Sequence, residues 1–248
     1  MLQTSLQHKE FYSAATKKEG RAVAGQIKSK ERVADHGEVF TNEREVNAML
    51  DMVKPETERV ESRFLEPACG NGNFLAEVLR RKLEVVDRKY KKLPADWEKF
   101  SIVALSSLYG VDILSDNVEE CQERLFEIWN KSYQSACKKE ATDLCRDAAR
   151  YILAHNILCG NALDMCKEDG SPIVFAQWDL VTGTQLKRRD YRLDELLNGH
   201  EEQLSFDMVA QGSEWEYDPE VDAMMPKPIR EYPPMDYRRV QELSLIHI

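Results

Sequence analysis

Leu65-Glu66-Pro67-Ala68-Cys69-Gly70-Asn71-Gly72-Asn73-Phe74 decides how this chain is read. Arg63 to Pro67 has the character of a short strand, Ala68 to Asn73 that of a turn, and Phe74-Leu75-Ala76-Glu77-Val78-Leu79 that of a helix. Glycines at such a junction let the backbone approach a ligand without Cβ clashes, and the amides that open the helix face it with unused donors. A strand, a glycine turn and a helix form the first unit of a Rossmann-like sheet. By itself a Gly-x-Gly turn would suit any nucleotide site.

Upstream, Val46, Met49, Leu50 and Val53 have helical spacing, with Thr41 or Asn42 as the N-cap and Pro55 as the stop. Residues 1–36 form a basic, polar, weakly helical arm (Lys17, Lys18, Arg21, Lys28, Lys30, Arg32), read as a solvated face with a DNA-binding arm as the alternative. Downstream, a helix is predicted around Asp96 to Ser107, then a strand at Leu108-Tyr109-Gly110-Val111-Asp112-Ile113. Ser115 or Asp116 is expected to cap a helix through Val118, Cys121, Leu125 and Ile128. A further helix carries Leu144, Ala148, Tyr151 and Ile152, and Asn156-Ile157-Leu158-Cys159 reads as a third strand that ends at Gly160-Asn161. Beyond it, Ile173 to Ala176 is expected as a strand and Tyr191 to Leu197 as a short helix. Residues 201–242 form an acidic, proline-rich tail, irregular from Glu214 to Tyr237. The expected fold is therefore α/β: a Rossmann-like domain over 37–200, an N-terminal helical arm and an irregular C-terminal tail.

The last six residues, Leu243-Ser244-Leu245-Ile246-His247-Ile248, match the in-frame translation of a transposon mosaic-end adapter used in sequencing. They are set apart from the fold reasoning, and the natural chain is expected to continue differently.

The chain has 34 basic and 44 acidic residues, a formal charge of -10. It lacks a basic excess with which to hold a phosphate backbone by bulk attraction, so nucleic-acid binding needs a local patch or a partner. Its 6 cysteines show no Cys-x-x-Cys pair and no Cys/His ligand spacing, which argues against structural zinc. With no signal peptide and no long apolar run, they read as reduced core thiols of a cytoplasmic protein without a membrane span.

The whole string around Gly70 is more specific than its glycines. It resembles motif I of adenine-specific DNA methylases of restriction-modification systems, where an acid, proline, alanine and cysteine precede the turn. The resemblance implies S-adenosylmethionine as cofactor. Glu66 would lie near its methionine amino group, and Ala68, Cys69, Gly70, Asn71 and Gly72 would wrap their backbone around it between Pro67 and Phe74. A carboxylate suits a cationic ammonium and sulfonium better than it suits a pyrophosphate.

Asp112 closes the second strand, where an acid can accept both ribose hydroxyls, with Ile113 against the adenine ring. Gly37-Glu38-Val39-Phe40-Thr41 resembles the family's motif X, which closes over the methionine end and places Phe40 and Thr41 in the site. The family usually has proline next, where this chain has Asn42. Cys159-Gly160-Asn161-Ala162-Leu163 resembles motif III, with Asn161 in place of the usual aspartate that accepts from the adenine amine and Ala162 beside it. An asparagine carbonyl accepts the same bond with less strength.

The resemblance covers roughly residues 31–165. The family's Asn/Asp-Pro-Pro-Tyr/Phe loop, which grips the flipped base, is not recognisable, so no catalytic residue is assigned. Tyr232-Pro233-Pro234-Met235 lacks the leading Asn or Asp and the final aromatic, and reads as tail. Where the loop belongs, the chain has Ile173 to Asp179 and then Lys187-Arg188-Arg189, a triplet that suits phosphate contact or a solvated turn.

The resemblance implies methyl transfer to the exocyclic amine of adenine in DNA, with a specificity subunit or a separate recognition domain as partner and no metal. The alternative is a non-catalytic, cofactor-binding subunit or relative of such enzymes.

Overall fold

The computed structural model describes residues 27–196, 215–218 and 223–245. Residues 1–26 of the basic arm lie outside them. The chain divides into two compact units between Phe40 and Thr41. In the first, helix α1 (Lys30–His36) starts on Ser29, whose hydroxyl accepts from the Arg32 N–H, and stops at Gly37 in left-handed backbone with φ 65°. The Arg32 guanidinium grips Glu38 at 2.7 and 2.8 Å.

The second unit opens with α2 (Glu43–Met52), capped by Asn42, whose Oδ1 accepts from the Glu45 N–H at 3.0 Å. Pro55 then sits in the first turn of a short helix, α3 (Lys54–Thr57), where its missing N–H costs nothing. Strand β1 (Phe64–Glu66), helices α4 (Asn73–Tyr90) and α5 (Pro94–Ser106), strand β2 (Leu108–Asp112), helices α6 (Ser115–Cys137) and α7 (Asp143–Asn156) and strand β3 (Ile157–Cys159) follow. The strands form a parallel sheet in the order β1-β2-β3, with Glu66 opposite Gly110 and Asp112 opposite Cys159. Each parallel step spends two helices on its return, as parallel pairing requires a long crossover. Helix α6 is preceded by Leu114 without a side-chain cap, so the expected Ser115 or Asp116 cap is not formed. Asp112 already holds the Leu114 N–H at 3.0 Å there.

Every residue of β2 is buried, which is why its sequence is nearly all apolar. Leu108 joins the large core beneath the helices, whereas Tyr109 and Val111 face a smaller cluster with Ile173, Phe175 and Leu193. In the large core Trp129 stacks on Tyr133 at 4.7 Å and donates its indole N–H to Ser101 at 3.0 Å. Lys82 of α4 is fully buried and donates to the Val60 carbonyl at 3.1 Å, the Ser62 carbonyl and the Ser107 hydroxyl. Burial pushes its amine down to about 7, and its three contacts tie α4 to the loop ahead of β1 and to the end of α5.

After β3 the pattern changes. Strands β4 (Val174–Thr182) and β5 (Gln185–Arg192) form an antiparallel hairpin, turned at Gly183 with φ 56°. A two-stranded pair follows, β6 (Trp215–Asp218) with β7 (Ala223–Pro226), and then β8 (Arg230–Glu231) and β9 (Met235–Asp236) both pair with β5. A 3-10 helix, Tyr237–Leu245, packs on α7.

Three expectations are corrected here. The described part of the C-terminal tail is not irregular: it extends the hairpin and buries Tyr232, Tyr237, Val240 and Leu243. Leu243, set apart in the sequence, thus belongs to the core. Lys187-Arg188-Arg189 is neither a solvated turn nor open to phosphate but the middle of β5, where Arg188 is buried against Asp190 at 2.7 and 2.9 Å. Tyr191 and Arg192 finish that strand, and helical backbone occupies only 193–196 of the described residues.

Candidate functional site

The three parallel strands end at one edge of the sheet, and there the chain brings the glycine turn, Asp112 and Asn161 together. The Cys69 N–H donates to the Val111 carbonyl at 2.9 Å and the Gly160 N–H to the Asp112 carbonyl at 2.9 Å, so all three strand ends are tied. In open α/β sheets, ligands bind outside these carboxyl ends.

The turn itself needs its glycines. Gly70 and Gly72 take positive φ, 50° and 85°, a region costly for residues with a Cβ. A Cβ on Gly72 would also lie 2.7 Å from the Cys121 Sγ on α6. The Gly72 N–H donates to the Cys69 carbonyl at 2.8 Å, and α4 begins with no side-chain cap and no acid in its first turn. Its opening amides and positive dipole end therefore remain for a ligand.

Each expected residue has a definite place. Glu66 is half-buried at the end of β1, with burial pushing its carboxyl up to about 7 against the opposing pull of the Ala68 N–H. Pro67 and Ala68 are exposed. Cys69 is buried with its thiol toward Gly110 and Cys121, and contact with Cys121, then burial, pushes that thiol far above its ordinary value. Cys69 thus contributes backbone, and its sulfur is inert. Phe74 packs on the large core and Ala162 on the small cluster, while Ile113 is 58% exposed and free to cover a ring. Thr41 gives its carbonyl to the Asn73 Nδ2 at 3.0 Å. Phe40 is buried and belongs to the other compact unit.

Asp112 and Asn161 are busier than the sequence suggests. The Asp112 Oδ2 accepts from the Gly70 N–H at 2.9 Å, and its Oδ1 from the Leu114 N–H at 3.0 Å and the Asn117 Nδ2 at 3.1 Å. A carboxylate has about four acceptor positions, so Asp112 can take one further donor without rearrangement, where two ribose hydroxyls were expected. The Asn161 Oδ1 accepts from the Leu163 N–H at 3.0 Å, and its Nδ2 donates to Asp164 at 3.0 Å. One acceptor position of that carbonyl remains.

Sequence reasoning missed Asn117, Asn73 and Arg124. Asn117 braces Asp112, and Arg124 donates to the Oδ1 atoms of Asn73 and, at 3.4 Å, of Asn71. The signal was the spacing of Asn117, Cys121 and Arg124, which places all three on one face of α6, directly against the turn.

The segment at the place in the sequence where the loop belongs ends away from the site. Gln177 donates to Asp179 at 2.9 Å, and Asp179 pairs with Arg63 at 2.8 Å, ahead of β1 and so at the opposite edge of the sheet. Among the described residues no group of three His, Cys, Asp or Glu is arranged to hold a metal, and no helix is long and apolar enough to cross a membrane.

No family model matches the chain, and no solved structure matches it. Two curated proteins are similar over part of it. A protein of Methanocaldococcus jannaschii named as a type II restriction enzyme and methyltransferase is 29% identical over 133 residues, 52% of this chain and 10% of that protein. DNA methyltransferase A of Bacillus subtilis is 27% identical over 144 residues, 54% of this chain and 16% of that protein. About half of this chain is therefore distantly related to proteins named as DNA methyltransferases, and it matches only a small part of each.

Proposed function

We propose that this chain is the S-adenosylmethionine-binding portion of a Rossmann-like DNA methyltransferase that acts on the exocyclic amine of adenine. The observation that carries the reading is the tie between the glycine turn and Asp112, Gly70 N–H to Oδ2 at 2.9 Å, beside the acid of β1 and the uncapped start of α4. The donor set fits the cofactor: Glu66 faces a cation, Asp112 a hydroxyl, the α4 amides a carboxylate, and Ile113 an aromatic ring. The strand order β1-β2-β3 is that of one half of a doubly wound sheet, and the two methyltransferase relatives point the same way.

When bound, S-adenosylmethionine supplies a methyl group on a cationic sulfur, open to in-line attack by an amine. The chain's own residues bind and orient. Ionised Glu66 balances the positive charge, Asp112 fixes the sugar, and the turn from Ala68 to Gly72 holds the methionine end by its backbone. The experiment is calorimetry of S-adenosylmethionine with the purified chain. Saturable binding with one site supports the reading, and an absence of heat at millimolar ligand rejects it.

A second reading has its own observation. Ile173, which leads into β4, lies beside Gly160, and the strand reaches Asp179 beside Arg63, so it runs opposite to β1, β2 and β3. Its end therefore points away from the site, and this favours a cofactor-binding chain whose catalytic loop is supplied by other residues.

A further inference from the structure

Arg124 projects from the middle of α6 onto the glycine turn. It donates to the Oδ1 atoms of Asn73 and Asn71, two amides that flank Gly72. Asn73 in turn donates its Nδ2 to the Thr41 carbonyl at 3.0 Å, at the residue that leads into α2. One guanidinium thereby fixes two segments far apart in sequence, the turn and the strap before α2. Helix α2 is held independently, because Arg81 of α4 reaches the Asn47 Oδ1 at 2.8 Å and Asp51 at 2.9 Å. The Arg124–Asn73 relay is thus free to set only the approach of Thr41 to the turn. Arg124 pairs with no carboxylate among the described residues, and the first turn of α4 beside it carries no acid. Its charge adds to the positive end of that helix, and its Nη1 alone meets both asparagine carbonyls.

We infer that Arg124 is a positioning residue for the amino-acid end of the cofactor: through Asn73 and Asn71 it shapes the turn and the Thr41 strap into a pocket that favours a carboxylate. The inference rests on the S-adenosylmethionine reading of the site. It assigns to α6 a role in selecting one end of the ligand, separate from the sugar end held by Asp112.

Two ligands separate the ends. S-adenosylhomocysteine has the amino-acid moiety, and 5′-methylthioadenosine lacks it but keeps the adenine, ribose and sulfur. Calorimetry of wild type, Arg124→Gln, Asn73→Ala and the double variant with both ligands reads the effect, with thermal melting as the check on folding. Arg124→Gln is expected to weaken S-adenosylhomocysteine about tenfold and to leave methylthioadenosine within about twofold. Asn73→Ala is expected to do the same, and the double variant to lose little more than either single one, because both break one relay. Equal losses for the two ligands, or additive losses in the double variant, overturn the inference. Arg124→Lys guards against misfolding: it keeps a charged multiple donor, so it is expected to retain more affinity for S-adenosylhomocysteine than Arg124→Gln, and a loss equal to that of Arg124→Gln would overturn the role of the relay. Wild type that binds methylthioadenosine and S-adenosylhomocysteine alike rejects the carboxylate pocket alone, whereas wild type that binds neither rejects the reading beneath it as well.

Discussion

Glu66 is a carboxyl at the edge of ionisation. Burial holds it at about 7, above its ordinary 4.5, so its acid form stabilises the unliganded fold below that ordinary value, and this contribution is lost as pH rises through 7. A cationic ligand needs the opposite form. Affinity for S-adenosylmethionine is therefore expected to rise by up to about tenfold per pH unit from pH 5.5 to 7 and to level off above. Glu66→Gln should flatten that profile in calorimetry at several pH values; a profile equally steep in the variant would show that another group titrates. Asp112 presents a different case, since its carboxylate also braces the turn. Asp112→Ala removes the acceptor of the Gly70 and Leu114 amides and of the Asn117 Nδ2, and is expected to lower stability by about 2 kcal/mol and weaken cofactor binding by about 1.5–3 kcal/mol. Denaturant melts and calorimetry well below the melting temperature separate the two losses, and unchanged affinity in the folded variant would remove Asp112 from the ligand set.

The elements differ in how far their sequence announced them. Strand β2 was legible because a parallel strand buried throughout is an apolar run, and β1 and β3, which are only partly buried, because each ended in a turn or an acid that carried a motif. Strand β5 was not legible, although its burial alternates. Its inward positions include Arg188 and Asp190, which neutralise each other under the ring of Tyr232, 4.7 Å from the guanidinium. A period of two written in paired charges looks like a solvated turn to any hydropathy reading. The side chains around the motifs were hidden for a related reason: whether Asp112 and Asn161 are already bonded depends on neighbours such as Asn117 and Asp164, and composition does not reveal these. The 3-10 helix Tyr237–Leu245 is anchored by one buried acid, Glu98 of α5, which accepts from the hydroxyls of Tyr133 and Tyr237, the latter at 2.8 Å, and from the Arg238 Nε at 2.6 Å. Removing that acid leaves a cation and two hydroxyls without their acceptor. Glu98→Ala is expected to cost about 3 kcal/mol and Tyr237→Phe about 1 kcal/mol in urea titrations. A Glu98→Ala cost below that of Tyr237→Phe would show that apolar packing of Tyr237, Val240 and Leu243 alone holds the segment.

At the scale of the whole molecule, binding and catalysis are expected to separate. The parallel sheet gathers its strand ends over one edge, and each of those ends contributes to the candidate cofactor site. A catalytic loop that grips a flipped base belongs beside them, within reach of the methyl group, because the reacting nitrogen must lie in line with it and close to it. The next strand in the chain does not deliver such a loop. From Ile173 near Gly160, β4 descends to Asp179 near Arg63, and Gln177 and Asp179 make polar contacts with each other and, from Asp179, with Arg63. The formal charge of -10 opposes unaided approach to a phosphate backbone. The isolated chain is therefore expected to bind S-adenosylmethionine yet transfer methyl groups to DNA at a rate near background. Incubation with unmethylated DNA of mixed sequence and tritiated cofactor at low salt, followed by counting of label in the DNA, measures this directly. Low salt removes the weak backbone affinity as an explanation, because it strengthens every phosphate contact the chain can make. Robust labelling of adenine would overturn the expectation and require that side chains at the β1-β2-β3 edge, such as those between Asn161 and Asp164, hold the target amine instead.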